Sequence, residues 1–324
     1  MTKANKITSI EQRGAVTSVY FDVRAGWSQW FLLRSDAHHD SIACARELEQ
    51  AHLEEANKRG AYILDTGDLF DAMQGRFDPR RSMDELAPQY RRDDYYDFVV
   101  QDTAEFYAPY AKQFLLLGRG NHETAVRKNA NTDLTDRLVY LLRSGHKSPV
   151  MAGGYGGWIR LMFNFSDGKN TGPRSSLKIK YFHGAGGEAP VTRGAIHTNR
   201  QAVYLPDADI VINGHNHHAY WIPISRERLS NKGKQYFDVQ HYFRIPGYKQ
   251  SYGNGTGGWE VIRGGVPKPI GAFWLKLSVQ NTKDGSDYIA INHEDAIVGA
   301  SAEVGETDGL EPTYGFYPDD PEGE

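Results

Sequence analysis

Over the first 145 residues, short apolar runs alternate with stretches whose apolar positions recur every three to four residues. Residues 15–23 (AVTSVYFDV) and 28–34 (SQWFLLR) read as strands, with a turn at Ala25-Gly26. Residues 41–58 read as a helix, because Ile42, Ala45, Leu48 and Ala56 fall roughly on one face and Gly60 stands where a C-terminal cap belongs. Residues 61–66 (AYILDT) form a short buried-type strand. Residues 92–112 look helical and lead into a strand at 113–117 (QFLLL). A further amphipathic helix covers 131–144, with Asn131 or Thr132 as its cap.

After residue 149 the pattern becomes strand-rich. Strands are expected at 157–165, 176–183, 208–213, 219–228, 235–244, 271–279 and 287–292. The pair 219–228 and 235–244 is joined by Asn231-Lys232-Gly233-Lys234, a good hairpin turn. Helix–strand alternation followed by a strand-rich half predicts a layered α/β sandwich with mixed sheets. No linker-like stretch divides the chain, so residues 1–300 are expected to form one domain and 301–324 an acidic tail.

Composition adds limits rather than chemistry. Hydrophobic residues make up 40% and aromatics 12%, enough for a packed core. The net charge is -4, but eight of the 41 acids lie in 301–324, where there is no Lys or Arg. The rest of the chain is slightly positive, which neither excludes a polyanionic substrate nor demands one. Cys44 is the sole cysteine, so no intrachain disulfide can form, as suits a reducing compartment. The first residues lack the apolar core of a signal peptide, and no stretch reaches the ~20 apolar residues of a membrane span. The expectation is a cytoplasmic protein with no membrane partner, its oligomeric state left open.

Chemistry concentrates at the ends of the apolar runs. Asp36-Ala37-His38 follows WFLLRS, and Gly67-Asp68-Leu69-Phe70-Asp71 follows YILDT. Gly120-Asn121-His122-Glu123 follows FLLLGR, His183-Gly184 ends KIKYF, and Gly214-His215-Asn216-His217 follows DIVIN. Carboxyl ends of strands are where sites gather in α/β sheets. Asp36, His38, Asp68, Asn121, His183, His215 and His217 supply the donors of a mixed oxygen and nitrogen metal site. If one carboxylate bridges, seven side chains give each of two ions four protein ligands. Two ions about 3.5–4 Å apart can hold a phosphoryl group and activate a hydroxide for in-line attack.

The ordered set D-x-H, GDxxD, GNHE, a lone His and GHxH resembles the calcineurin-like metallophosphoesterases, over residues 36 to 217. The resemblance implies a four-layered α/β/β/α sandwich and two divalent ions, manganese first, with iron, zinc or nickel as alternatives. It implies that Asp36, His38, Asp68 and His217 hold one ion, and Asp68, Asn121, His183 and His215 the other. It makes His122 not a ligand but a group above the site that protonates the leaving oxygen or stabilises phosphate charge. Asp71 is expected to orient ligands through hydrogen bonds. Asp40 can act similarly or cap the helix at 41–58, with the cap preferred. His39 and His218 are expected to point away from the site, and His52 to be structural. Some relatives of this superfamily serve as binding scaffolds after losing ligands, but here all seven are present.

The substrate is less legible. Arg193 and Arg200 lie in a Gly-rich segment between two metal motifs, and Arg244 and Lys249 in a later stretch with Tyr248, Tyr252 and Trp259. Cations among aromatics suit a nucleic-acid strand, and an irregular loop packed on the core suits them equally. The later stretch is similar to one in phosphoesterases from bacteriophage genomes, which turns the expectation toward a nuclease or phosphodiesterase acting on DNA or nucleotides. Against this, the repair-exonuclease branch usually carries GNHD, where this chain has Glu123. A phosphomonoesterase and a non-catalytic metal-binding module are the alternatives.

Overall fold

The computed structural model describes residues 5–73, 84–166, 171–186, 192, 194–252, 261, 264–281 and 287–298. The acidic tail, Arg193, Trp259 and Arg263 lie outside the described residues.

The chain is an α/β sandwich built on two mixed sheets. One sheet has seven strands: β1 (Ile7–Arg13), β2 (Val16–Val23), β7 (Gly156–Ser166), β8 (Thr171–Phe182), β9 (Ile210–Asn213), β11 (Gln235–Arg244) and β10 (Tyr220–Leu229), in that spatial order. The other has six: β13 (Asp287–Val298), β12 (Ile270–Asn281), β3 (Ser28–Arg34), β4 (Tyr62–Asp65), β5 (Phe114–Leu117) and β6 (Met151–Ala152). Strands β3 to β6 run parallel, as do β8, β9 and β11. Parallel strands end on the same edge, so the motifs that follow β3, β4, β5, β8 and β9 are delivered to one side of the molecule.

Alternation along each strand sorts the core into layers. Phe31 and Leu33 of β3, Tyr62 and Leu64 of β4, and Ile210 and Ile212 of β9 point between the sheets. An aromatic group of Phe21, Trp27, Phe31, Tyr62 and Phe163 fills that space, with Phe21 and Phe163 stacked at 6.3 Å. The opposite faces of β3 and β4 offer Leu32 and Ile63 to helices α1 (Arg46–Arg59), α2 (Tyr95–Tyr107) and α4 (Leu134–His146). Beyond the seven-stranded sheet, Val211 and Tyr242 pack with Ala202 and Leu205, at the end of helix α5 (Ala195–Tyr204). The order of layers is therefore helices, sheet, sheet, helix.

Most expected elements are found, with informative differences. The helix expected from residue 41 starts only at Arg46, and Ile42 is 61% exposed. Residues 41–45 are held instead by isolated bridges, Ser41 to Leu86 and Cys44 to Lys249, so long-range pairing overrides local periodicity. Gly60 does close α1, in the left-handed conformation at φ 63°. The helix expected over 92–112 ends at Tyr107 and tightens into a 3-10 turn over Ala108–Gln113, where Pro109 has no N–H to donate. Asp133, not Asn131 or Thr132, caps α4 by accepting from Asp136 N, while Asn131 ends helix α3 (Asn121–Ala130) at φ 53°. Helices α3 and α5 and strand β1 were not expected. The β10–β11 hairpin closes at Gly233, whose N–H donates to Ser230 O.

Candidate metal centre

The five motifs meet where the parallel strands of both sheets end. Asp36 and His38 follow β3, Asp68 and Asp71 follow β4, and Asn121 opens α3 directly after β5. His183 follows β8, and His215 and His217 follow β9. Backbone hydrogen bonds lash these segments together: Asp36 N donates to Gly67 O, His38 N to Asp68 O, and Gly214 N to His183 O.

The backbone is bent to present these side chains. Among the described residues, eight other than glycine have positive φ, and five of them are Asp36, His38, Asp68, His215 and His217. Asp and His tolerate this region better than most residues, but each placement still costs roughly 1–2 kcal/mol. Such conformations gather at sites where geometry outranks local comfort. Close approach requires the neighbouring glycines. A Cβ on Gly120 would overlap the Asp68 carboxylate, and one on Gly214 would overlap Ser35 Oγ and crowd Asp36 Oδ2.

Three overlapping sets of side chains bring ligand atoms within 4.8 Å of one another: Asp36, His38 and His217; Asp68, His183 and His215; and His38, Asp68 and His122. His217 Nε2 lies 3.3 Å from Asp36 Oδ1, and His183 Nε2 lies 3.0 Å from Asp68 Oδ2. Asn121 Oδ1 completes the second set, 3.2 Å from His183 Nε2. All but His215 and Asn121 are almost fully buried.

The hydrogen bonds say which atoms are free to ligate. His38 Nδ1 donates to Asp71 Oδ1 at 2.8 Å, so its Nε2 keeps a lone pair, and that atom is buried with no partner. Asp36 Oδ2 accepts from His215 N at 2.9 Å, while its Oδ1 is buried and has no hydrogen bond. A carboxylate behind a histidine, with ligand atoms buried and unbonded ahead of it, is what a bound cation requires. These clustered residues fit a divalent metal ion.

Electrostatics agree. Burial alone would raise Asp36, but the charges of His217 and His183 hold it well below the usual carboxylate range. Burial likewise opposes ionisation of Asp68, and His183 and His122 overcome it. His183 is penalised by burial yet is raised to about 9 by Asp68 and Asp36. Both carboxylates are thus held in the ionised form.

His122 differs from the other histidines. Its Nδ1 donates to the Asp71 carbonyl, and its Nε2 lies 3.7 Å from Asp68 Oδ2. Its own backbone N–H donates to Asp68 Oδ1 at 2.9 Å.

Several residues support the site, and two of them, Glu123 and Arg34, were not singled out from the motifs. Glu123 accepts from Gly120 N, Asp68 N and Phe70 N, and so joins the turn after β5 to the turn after β4. Burial and the Asp68 charge push Glu123 up to about 7, against the pull of those N–H donors. Its spacing three residues after the helix cap was the available signal. Asp40 does not cap α1; its carboxylate accepts from Asp71 N, Ala72 N and the Tyr95 hydroxyl. Arg34, fully buried, donates to Asp65 at 2.7 Å, Glu49 at 2.6 Å and Tyr107 at 2.7 Å. His39 turns into this network, 3.1 Å from Glu49 Oε2 and so away from the ligands.

The expected substrate residues are scattered. Lys249 is largely buried and paired with Asp71 at 3.1 Å and Glu85 at 3.4 Å. Tyr248 is fully buried and bonds His52 Nδ1 at 3.0 Å. Arg200 is exposed on α5, and Arg244 is buried at the end of β11, donating to Gly214 O at 2.9 Å. No helix among the described residues is long and apolar enough to cross a membrane.

No protein-family model and no curated protein matches the chain. Among solved structures it is similar to Vacuolar Protein Sorting 29 from Cryptosporidium parvum, at 14% identity over 83% of this chain and 98% of that one, with a TM-score of 0.32. It is similar to Vps29 from Entamoeba histolytica, determined with zinc, at 12% identity over 82% and 99% of the two chains, with a TM-score of 0.33. A predicted phosphoesterase from Streptococcus pneumoniae matches at 12% identity over 83% and 99%, with a TM-score of 0.28.

Proposed function

We propose that this protein is a dinuclear-metal phosphoesterase of the calcineurin-like kind, acting on phosphodiesters of nucleotides or nucleic acid. One observation carries the reading: seven side chains drawn from five strand ends across 182 residues face one another, with Asp36 Oδ1 and His38 Nε2 buried and unbonded among them. Asp36, His38 and His217 would hold one ion and Asn121, His183 and His215 the other, with Asp68 shared. When bound, such a pair supplies neutralisation of phosphoryl charge and a nucleophilic hydroxide at neutral pH.

The chain's own groups do the rest. Asp71 fixes the His38 ring and, through its carbonyl, the His122 ring. Because the carbonyl can only accept, Nδ1 of His122 carries a proton, and a transferable proton at Nε2 requires the imidazolium form. Asp68 Oδ2 lies 3.7 Å from His122 Nε2, and Asp71 Oδ1 lies 3.7 Å from His122 Nδ1. His122 Nε2 then donates to the departing oxygen of the ester. The diester preference is supported by the cationic side chain of Arg244, which donates to Gly214 O of the last metal motif at 2.9 Å.

The test is hydrolysis of bis-p-nitrophenyl phosphate against p-nitrophenyl phosphate by protein loaded in turn with manganese, zinc, iron and nickel. Faster diester cleavage is expected. Preference for the monoester would move the assignment to a phosphatase, and no turnover with any metal would sink the enzymatic reading.

A further inference from the structure

We infer that Arg244, Asn216, Tyr220 and the N-terminus of α5 form a binding site for a phosphate oxyanion beside the metal centre. Arg244 is only 3% exposed, yet among the described residues no carboxylate pairs with it. Among the described residues its one hydrogen bond runs from Nη1 to Gly214 O, and its Nε is buried without a partner. A buried, unpaired cation is costly, and here it stands behind a loop whose histidines are suited to cations of their own. A counter-anion relieves that cost.

The surroundings are donors rather than acids. Gly194 opens α5 at φ 87°, where a side chain is disfavoured. The position its Cβ would take lies 3.3 Å from Arg244 Nη2, 3.2 Å from Asn216 Nδ2 and 3.3 Å from the Tyr220 hydroxyl. Three donor groups from three segments therefore converge on the space beside a residue that has no side chain. The ring of Tyr220 lies under the guanidinium at 6.0 Å, and Thr198 Oγ1 bonds the Tyr220 hydroxyl at 3.0 Å. The N-terminus of α5 adds the positive end of a helix dipole. His197, in the first turn of α5, is depressed by burial and then by the charges of Arg244 and Arg200. Planar guanidinium suits phosphate oxygens. Asn216 lies between His215 and His217 in the chain, and Arg244 is joined to the same loop through Gly214 O at 2.9 Å.

The inference rests on the phosphoesterase reading for its natural occupant, but the site itself is tested without metal. Inorganic phosphate is titrated into chelator-treated full-length protein and followed by calorimetry and by thermal melting. Saturable binding with a rise in Tm is expected. Arg244→Gln should weaken it at least tenfold, and Gly194→Asn, which fills the space while keeping the cation and tolerating positive φ, should do the same. No binding by the parent, or equal binding by folded G194N and parent, overturns the site. Ester hydrolysis by the loaded enzyme without Arg244-dependent phosphate binding would leave the metal reading standing and remove this one. Arg244-dependent binding without hydrolysis by any metal form would do the reverse. In the active enzyme, an R244Q loss confined to substrates carrying a second phosphate assigns the site to that group, and an equal loss with bis-p-nitrophenyl phosphate assigns it to the scissile one; both outcomes support the site.

Discussion

Asp68 has the most demands placed on it. Its carboxylate meets His183, lies near His122 Nε2 and accepts the His122 backbone N–H. Asp68→Ala should therefore remove both metals, and metal content by elemental analysis checks it; two ions retained with full activity would refute the shared role. His122→Ala should keep the metals and lose activity by about 10²–10⁴-fold, the usual worth of a general acid. Metal lost along with the rate would make His122 a ligand, as its grouping with His38 and Asp68 allows. Gly120 and Gly214 were legible as turn residues, but the overlap a Cβ would make with Asp68 or Asp36 comes from another strand end and is invisible locally.

Helices and strands were read well where their pattern was local. The β10–β11 hairpin, the short apolar strands and the Gly60 cap all follow from period and turn chemistry. Helix α4 depends on Asp133, whose side chain takes the Asp136 N–H at 3.0 Å. Asp133→Ala should cost about 1 kcal/mol, somewhat more because Arg119 also pairs with it at 2.9 Å, measured by urea unfolding. An unchanged midpoint would show that the cap is idle. Residues 41–45 misled the reading because their long-range backbone bonds go to Glu85 O, Tyr248 O and Gln250 N, partners far along the chain. Helix α3 was hidden because the metal motif occupies its first turn.

The molecule's response to pH follows from histidines that folding buries away from the metal centre. Burial and then the charge of Arg34 depress His52 to about 4, below the ~6.5 of an unfolded histidine. The unfolded chain thus binds the extra proton first. The stability this site contributes is full above about pH 6.5 and is lost as pH falls toward 4. His241, also depressed to about 4 by burial and by His293, acts in the same direction. Urea midpoints of metal-free protein should fall across that window, and His52→Gln should flatten part of the slope; parallel slopes would show that His52 keeps its ordinary proton affinity. Beneath the site, the Arg34 network ties β3, β4, α1 and α2 through one guanidinium, so strand ends that carry Asp36 and Asp68 share a rigid base.

The chain alone determined which residue types follow which strands, and with them the layered fold and the seven candidate ligands, because period and motif are properties of neighbours in sequence. It left Arg34 unread, gave Glu123 no structural role, preferred Asp40 as a helix cap, and took Arg244 as a substrate contact without its surroundings. Their partners lie on other strands, and a buried charge takes its meaning from what surrounds it in space. Only tertiary structure brings Asp71 behind His38, or leaves Arg244 with donors instead of acids, because hydrogen bonding and desolvation act over a few ångströms whatever the separation along the chain.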